Sequence, residues 1–236
     1  MQNNNFKLKI PTHLAIIPDG NRRWAKAHSL PVYEGHRRGF QIISDLGKRS
    51  RELGIKIFTV WAFSTENWNR DKNEVSFLMS NFAEWIGKNL KTALEEQIRI
   101  IHLGKKDRLS NNLKKKIEEA EQKTKHFSKY YFVAALDYGG RDEILRCAKK
   151  FQAAEAKLQN LTEESFAKFL DTKDLPQPEP DLVIRTSGEI RTSGFMLWQT
   201  AYSEWIFSPK YLPDFKPQDL EECIKEYALR QRRYGI

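Results

Sequence analysis

The stretch His13-Leu14-Ala15-Ile16-Ile17-Pro18-Asp19-Gly20-Asn21-Arg22-Arg23-Trp24-Ala25 decides the fold. Its first five residues form a short apolar run of the length and bounds of a buried strand. Pro18 ends the run and Gly20 permits a tight backbone turn. Asp19 or Asn21 is placed to cap a following helix, whose free N–H groups would then face an anion. Arg22 and Arg23 add charge that suits phosphate oxygens.

Outward from that stretch, strands and helices alternate. Ile55-Lys56-Ile57-Phe58-Thr59-Val60-Trp61-Ala62-Phe63 is a second strand, rich in β-branched and aromatic residues. Similar runs occupy 98–103, 130–136, 181–184 and 204–207, with helical patterns near 36–53, 72–96, 108–124, 140–157, 163–170 and 217–231. This alternation predicts an α/β fold with a central, mostly parallel sheet covered by helices on both faces. Crossovers are then right-handed. The chain has 236 residues, no internal repeat, and one proline cluster, Pro176-Gln177-Pro178-Glu179-Pro180, which reads as a loop feeding a strand. Residues 1–236 are therefore read as a single domain, with 1–11 as a flexible N-terminus. In 72–96, Val75, Leu78, Met79, Phe82, Ile86, Leu90 and Leu94 recur at three- and four-residue spacing, one apolar face of a long helix. Such a face either packs as ordinary core or walls an apolar channel between sheet and helices.

Lys and Arg number 40 against 31 Asp and Glu, a net charge of +9. That excess favours polyanionic partners: nucleic acid, an anionic membrane surface or phosphorylated small molecules. A charged fraction of 30% and a mean hydropathy of −0.66 exclude a membrane-spanning chain, and 12% aromatic residues argue against disorder. No apolar run approaches the ~18 to 20 residues of a spanning helix. The first seven residues have no apolar segment of a secretory signal. Cys147 and Cys223, far apart and without metal spacing, are read as reduced thiols of a cytosolic protein.

In an open parallel sheet, ligands bind beyond the carboxyl ends of the strands. After the first strand, Asp19 beside Arg22 and Arg23 suggests a phosphate and Mg²⁺ site. After the second, Phe63-Ser64-Thr65-Glu66-Asn67-Trp68-Asn69-Arg70 gathers hydroxyls, amides, an arginine and two aromatics. After another comes Arg185-Thr186-Ser187-Gly188-Glu189-Ile190-Arg191-Thr192-Ser193-Gly194, a second oxyanion cradle. Two cradles suggest two phosphorylated groups bound together. Neither G-x-x-x-x-G-K-[ST] nor G-x-G-x-x-G occurs, which disfavours nucleotide folds.

These motifs resemble those of the cis-prenyltransferases of the undecaprenyl diphosphate synthase family. The resemblance extends through Gly35-His36, Asp137-Tyr138-Gly139-Gly140-Arg141-Asp142-Glu143-Ile144, Phe195-Met196-Leu197-Trp198-Gln199-Thr200-Ala201-Tyr202-Ser203-Glu204 and Arg233-Tyr234-Gly235, in family order over nearly the whole chain. It implies condensation of isopentenyl diphosphate with an allylic diphosphate, usually farnesyl diphosphate. The product would be a cis-polyprenyl diphosphate of the undecaprenyl lipid-carrier type, with a short-chain product as the alternative. It also implies Mg²⁺ as cofactor, a homodimer, and a cytoplasmic location with peripheral contact at a membrane surface for product release.

Residue by residue, the resemblance makes Asp19 the Mg²⁺-linked aspartate and Asn21 a catalytic neighbour of the reacting carbon or its proton. Gly20, Arg22, Arg23 and His36 fall at the allylic diphosphate, with Trp24 as much structural as substrate-binding. Phe63, Ser64, Asn67, Trp68 and Arg70 shape the space between substrates, and Arg185, Arg191 and Ser193 bind isopentenyl diphosphate. Glu204 becomes a second acidic residue placing Mg²⁺, and Arg233 and Gly235 a tail reaching across the dimer interface. Three positions depart from the family pattern: Val32 where many relatives have arginine, Ile190 where many have histidine, and Gly194 where asparagine is common. Nucleic-acid binding is the competing class, from Lys105-Lys106-Asp107-Arg108 and Lys114-Lys115-Lys116, but Glu118, Glu119 and Glu121 follow and no binding motif is present.

Overall fold

The computed structural model describes residues 9–154, 159 and 161–230. All five residues of β1 (His13–Ile17) are buried, as a strand between two layers requires. β1 pairs with β2 (Ile57–Ser64) on one side and with β5 (Leu182–Arg185) on the other. β4 (Tyr130–Tyr138) and β3 (Ile98–Leu103) continue beyond β2, and β6 (Glu204–Phe207) lies beyond β5. The order is β3-β4-β2-β1-β5-β6, with every pairing parallel. The strand order reverses between β1 and β5, so the crevice beyond their carboxyl ends is where a ligand belongs.

The helices are α1 (Asn21–Ala27), α2 (Val32–Glu52), α3 (Lys72–Glu95), α4 (Asn111–Thr124), α5 (Gly140–Ala153), α6 (Glu163–Ala167) and α7 (Pro217–Leu229). The helix expected from residue 36 starts at Val32, because Pro31 caps it and separates it from α1. α3 begins where Asp71 accepts the N–H groups of Asn73 and Glu74.

Alternate strand residues face opposite layers. Leu14, Ile16, Phe58, Val60 and Ile184 pack on Ile42, Ile43 and Leu46 of α2 and on Leu220 and Ile224 of α7. Ala15, Ile17, Trp61, Val133 and Val183 face the other way, toward Phe195 and Met196. The stripe of α3 packs along most of its length: Leu78, Met79 and Phe82 join Leu113 and Ile117 of α4, whereas Leu94, in its last turn, is exposed. Of the segment expected to be mobile, Ile10 packs on the first core and Pro11 is buried, while residues 1–8 lie outside the described residues. Cys147 and Cys223 are free thiols in separate clusters, both pushed up to about 12 chiefly by burial. Among the described residues, no helix is long and apolar enough to cross a membrane. The basic stretch before α4 is engaged within the fold. Lys105 pairs with Asp142, Lys106 with Glu121, and Arg108 with the buried Asp137.

Candidate active site

Ile17 and Arg185 are in register at the ends of β1 and β5. Gly20 turns the chain with φ at 106°, and a Cβ there would stand 2.8 Å from the Tyr211 ring, so glycine alone fits. Gly20 is also the residue preceding α1, and neither Asp19 nor Asn21 caps that helix, contrary to the sequence expectation. Asp19 is instead held across the crevice. Its N–H donates to Thr186 Oγ1 at 2.9 Å, and the Thr186 hydroxyl donates back to the Asp19 carbonyl at 2.7 Å. Asp19 Oδ2 accepts from Arg185 Nη2 at 2.9 Å, and Oδ1 lies 3.3 Å from Arg23 Nη2. Burial pushes the Asp19 carboxyl up, but the Arg185 hydrogen bond and the charges of Arg185 and Arg23 prevail and hold it below its ordinary value. It is a carboxylate at neutral pH.

Asn21 starts α1 where that helix meets α2 at Gly35 and Gly39. A Cβ on Gly39 would stand 2.7 Å from Asn21 Oδ1. That oxygen is buried and has no hydrogen-bond partner. A buried amide acceptor left unpaired is costly, and a ligand or cation would relieve it.

The two cradles read from the sequence meet at one side chain. Arg185, 5% exposed, donates through Nη1 to the Arg191 carbonyl at 2.5 Å and to Ser193 Oγ at 2.8 Å, and through Nη2 to Asp19. Its Nε is buried without a partner. Ser187 and Ser193 hold left-handed backbone, with φ at 83° and 51°, a strain that persists where surroundings enforce it. Arg23 reaches Ser187 Oγ, and Glu189 Oε1 at 2.7 Å, while Arg191 pairs with the same Glu189.

A third group forms where α2 meets α3. Glu74 accepts from His36 Nε2 and Arg70 Nη1, each at 3.1 Å, and Arg22 Nε lies 3.8 Å away. Burial lowers the His36 pKa despite Glu74, so the ring is neutral at pH 7. Glu74 was missed in the sequence. Its only signal was the four-residue spacing from Arg70 on the first turn of a helix.

Asn67 Oδ1 accepts the Ser64 N–H at 3.1 Å, fixing the turn after β2. Three expected residues support this turn or its neighbour rather than line the cavity. Phe63 is buried and packs edge-on against Trp68, with ring centroids 5.2 Å apart. Trp68 donates to Asp137 Oδ1 at 2.9 Å. Trp24 stacks on His28 and donates to Asp214. Glu204 is not brought to Asp19 within this chain. It aligns with Leu182 at the amino end of the sheet and accepts from Arg230 Nη1 at 2.8 Å. Arg233 and Gly235 lie outside the described residues.

A cavity of about 1240 Å³ opens from this crevice. Its polar end carries Arg22, Arg23, Lys26, Arg70, Arg185 and Arg191 against Asp19, Glu66 and Glu189. Such a cation excess suits bound polyphosphate. Its other end runs between the sheet and α2, α3 and α4, past Phe40, Ile43, Ala62, Leu78, Phe82, Trp85, Ile86, Ile117, Phe132 and Ala134. Of the carboxylates at the polar end, Asp19 lies at the switch point itself, held by Arg185 and Arg23, while Glu189 is taken by Arg23 and Arg191. No group of three or more His, Cys, Asp or Glu forms a metal cage among the described residues. One carboxylate completed by substrate phosphate oxygens is a usual way of holding Mg²⁺, so these residues fit that ion.

Residues 17–235 match the family model described as "Putative undecaprenyl diphosphate synthase". The chain is 45% identical to an isoprenyl transferase of Thermotoga maritima over 97% of its own length and 98% of that protein's. It is 40% identical to the Micrococcus luteus "ditrans,polycis-undecaprenyl-diphosphate synthase ((2E,6E)-farnesyl-diphosphate specific)", over 100% and 96% of the two chains. The crystal structure of lavandulyl diphosphate synthase from Lavandula x intermedia, in complex with dimethylallyl diphosphate, superposes with a TM-score of 0.93. That match has 36% identity and covers 96% of this chain and 99% of that one. With the parallel sheet, the switch-point crevice and the motifs all in place, the chain belongs to the undecaprenyl diphosphate synthase family of cis-prenyltransferases.

Proposed function

We propose that this chain condenses isopentenyl diphosphate with an allylic diphosphate, farnesyl diphosphate in the first instance, to make an undecaprenyl-type cis-polyprenyl diphosphate. The observation that carries the reading is one cavity with a cationic end at the sheet's switch point and an apolar end against α3. An amphiphile with a diphosphate head and a growing hydrocarbon tail matches both ends.

In the reaction, the allylic C1–O bond breaks and diphosphate departs with the electron pair. The isopentenyl double bond supplies the electrons of the new C–C bond, and a proton leaves the isopentenyl C2. Arg22, Arg23, Arg70 and His36 receive the allylic diphosphate, whose charge grows as the bond breaks. Arg191 and Ser193 hold isopentenyl diphosphate, and Arg185 ties the two heads together because it bonds both Ser193 and Asp19. Mg²⁺ would be held by Asp19 and would supply charge neutralisation on the leaving diphosphate. Asn21 Oδ1 is also an acceptor free to face the departing proton. The apolar end forms the channel for the tail, excluding it from water. A homodimer completes the assembly, and any role of Glu204 at the metal comes from a second copy. The setting is the cytoplasm at the membrane surface.

The test is incubation of purified protein with labelled isopentenyl diphosphate and allylic diphosphates of several lengths, followed by chromatography of the lipid products. Label in polyprenyl products of many isoprene units supports the reading. Products extended by one unit only would support the short-chain alternative, and no transfer to any allylic diphosphate would remove the proposal.

A further inference from the structure

The segment Asp137-Tyr138-Gly139-Gly140 joins β4 to α5 and lines no part of the cavity, yet two loops that do line it are fastened there. β4 carries Asp137 as an extra residue. Phe63 pairs with Leu136 and Ser64 with Tyr138, so no residue of β2 stands opposite Asp137. A bulge of this kind re-aims a side chain. Asp137 takes left-handed backbone, with φ at 53°, and is fully buried. Its Oδ1 accepts from Trp68 Nε1 in the turn after β2. Arg108, in the loop before α4, donates to the same carboxylate through Nε at 3.0 Å and through Nη2. The Arg108 guanidinium also lies over the Trp68 ring, 5.0 Å from its centre. Trp68 is thus gripped at its edge and on its face, and the turn that contains it supplies Ser64, Asn67 and Arg70 to the cavity wall.

Gly140 holds the second loop. Its N–H donates to the Gly194 carbonyl at 2.9 Å. A Cβ at Gly140 would stand 2.5 Å from that oxygen and 2.9 Å from the Leu197 nitrogen, backbone atoms that no side-chain rotation can withdraw. Phe195 follows, buried and stacked on Trp61 at 5.0 Å, with Tyr138 edge-on at 6.3 Å. On the other side of this loop Arg185 holds the Arg191 carbonyl and Ser193 Oγ. The left-handed Ser193 is therefore fixed from both directions.

We propose that Asp137 and Gly140 are positioning residues that set where the two diphosphates sit relative to each other. Asp137 acts through Trp68 on the allylic side, and Gly140 acts through Gly194 on the isopentenyl side. The inference rests on the prenyl-transfer reading for the identity of the two substrates, while the fastening of both loops to one short segment is a property of the fold. Joining two substrates demands close placement of the reacting atoms, and a displacement of ~1 Å can cost ~100-fold. A strand end shared by both loops supplies that placement. A segment that served folding alone would lower stability without preferring either substrate.

The test is steady-state kinetics on the full chain with each substrate varied in turn, and melting temperature measured alongside. Gly140→Ala raises helix propensity at the start of α5, so its effect comes from the loop it presses. It raises KM for isopentenyl diphosphate about ten-fold and leaves KM for the allylic diphosphate within about two-fold. Asp137→Ala does the reverse, by similar factors. Asp137→Asn keeps an acceptor for Trp68 and tolerates left-handed backbone, and recovers most of that loss. Asp181→Ala, which disturbs the opposite edge of the sheet, leaves the ratio of the two KM values near wild type. Where either alanine variant does not fold, Phe195→Leu on the isopentenyl side and Arg108→Lys on the allylic side carry the same two predictions, at about three-fold each. Equal changes in both KM values, no change in folded variants, or no recovery in Asp137→Asn overturns the proposal while wild-type transfer stands. Wild-type protein that transfers no prenyl group removes the prenyl-transfer reading, and this proposal with it.

Discussion

The two edges of the parallel sheet are built from similar residues and treat them oppositely. At the amino edge Asp181, His13 and Glu204 are each engaged by their neighbours. Asp181 Oδ2 accepts the N–H groups of Thr12 and His13, at 2.9 and 3.1 Å, and the Gln177 amide at 2.7 Å. His13 has both ring nitrogens engaged, with the Gln177 carbonyl and Thr59 Oγ1. Glu204 is neutralised by Arg230. At the carboxyl edge Asn21 Oδ1 and Arg185 Nε are buried and unpaired, serines sit in left-handed backbone, and cations outnumber carboxylates. The amino edge has spent its polar groups on folding, and the carboxyl edge holds them in reserve for a ligand. That asymmetry locates the chemistry better than residue type does, since Asp19 and Asp181 are both aspartates bound to buried groups.

The sharpest way to break the comparison is to remove one acid from each edge. Asp19→Ala should lower kcat by ~100-fold or more, because a charge-organising group at the reacting diphosphate is lost. Its melting temperature should stay near wild type, since Arg185 keeps Ser193 and the Arg191 carbonyl. A folded variant with near-normal kcat would remove Asp19 from the chemistry.

The amino edge should answer to pH through stability. Burial lowers the His13 pKa from 6.5 to about 4. The folded state therefore refuses a proton that the unfolded chain accepts below pH 6.5. Stability contributed by neutral His13 is whole above that pH and falls by about 3 kcal/mol as the pH drops toward 4. Denaturant melts from pH 7 to pH 4 should lose most of this slope in His13→Gln, and an unchanged slope would assign the acid sensitivity elsewhere.

Between the edges, the apolar end of the cavity separates core from channel. Trp85 lines it, donates to Ser44 Oγ of α2 at 2.8 Å, and packs 4.9 Å from Phe132. Phe82 lines it too, 9% exposed and edge-on to Phe40. Trp85→Ala should lengthen the product distribution by one or a few isoprene units at modest cost in melting temperature. Phe82→Ala, deeper in the α3–α4 core, should lengthen products and also lose ~3 kcal/mol. Original lengths from both variants, by chromatography, would take α3 out of the channel wall.

The smallest effect is expected at Glu204. Glu204→Gln keeps a hydrogen bond to Arg230 while removing charge at the amino edge. It should change kcat only a few-fold and melting by about 1 kcal/mol or less. A loss comparable to Asp19→Ala would place Glu204 at the metal of a second copy's site.

Much of this was legible in the sequence for a physical reason. A buried parallel strand is a short apolar run, and the turn after it must supply glycine and polar groups, so β1, β2 and their loops read directly from residues 13–25 and 55–70. The Asp19, Ser64 and Arg185 neighbourhoods follow from strand ends alone. What did not read was set by contacts distant in sequence. Arg185 bridging both cradles, Glu74 gathering His36 and Arg70, and Trp85 tied to α2 join residues whose local patterns are those of an ordinary helix or strand. Glu204 lies in a matching motif, yet strand direction carries it to the far edge of the sheet. The α1–α2 boundary needed Pro31 to be read as a stop between two helices.

The central claim is that prenyl transfer resides at the carboxyl edge while the amino edge serves folding. It is tested most directly by measuring kcat/KM for isopentenyl diphosphate and the melting temperature together, in Asp19→Ala and Asp181→Ala. The two variants should show opposite patterns. Asp19→Ala loses ~100-fold or more in kcat/KM at nearly unchanged melting temperature. Asp181→Ala, which strands the Thr12 and His13 N–H groups, loses roughly 2 to 4 kcal/mol of stability with kcat/KM within a few-fold of wild type below its melting point. Turnover lost from Asp181→Ala at unchanged melting temperature, or kept by a folded Asp19→Ala, would contradict it.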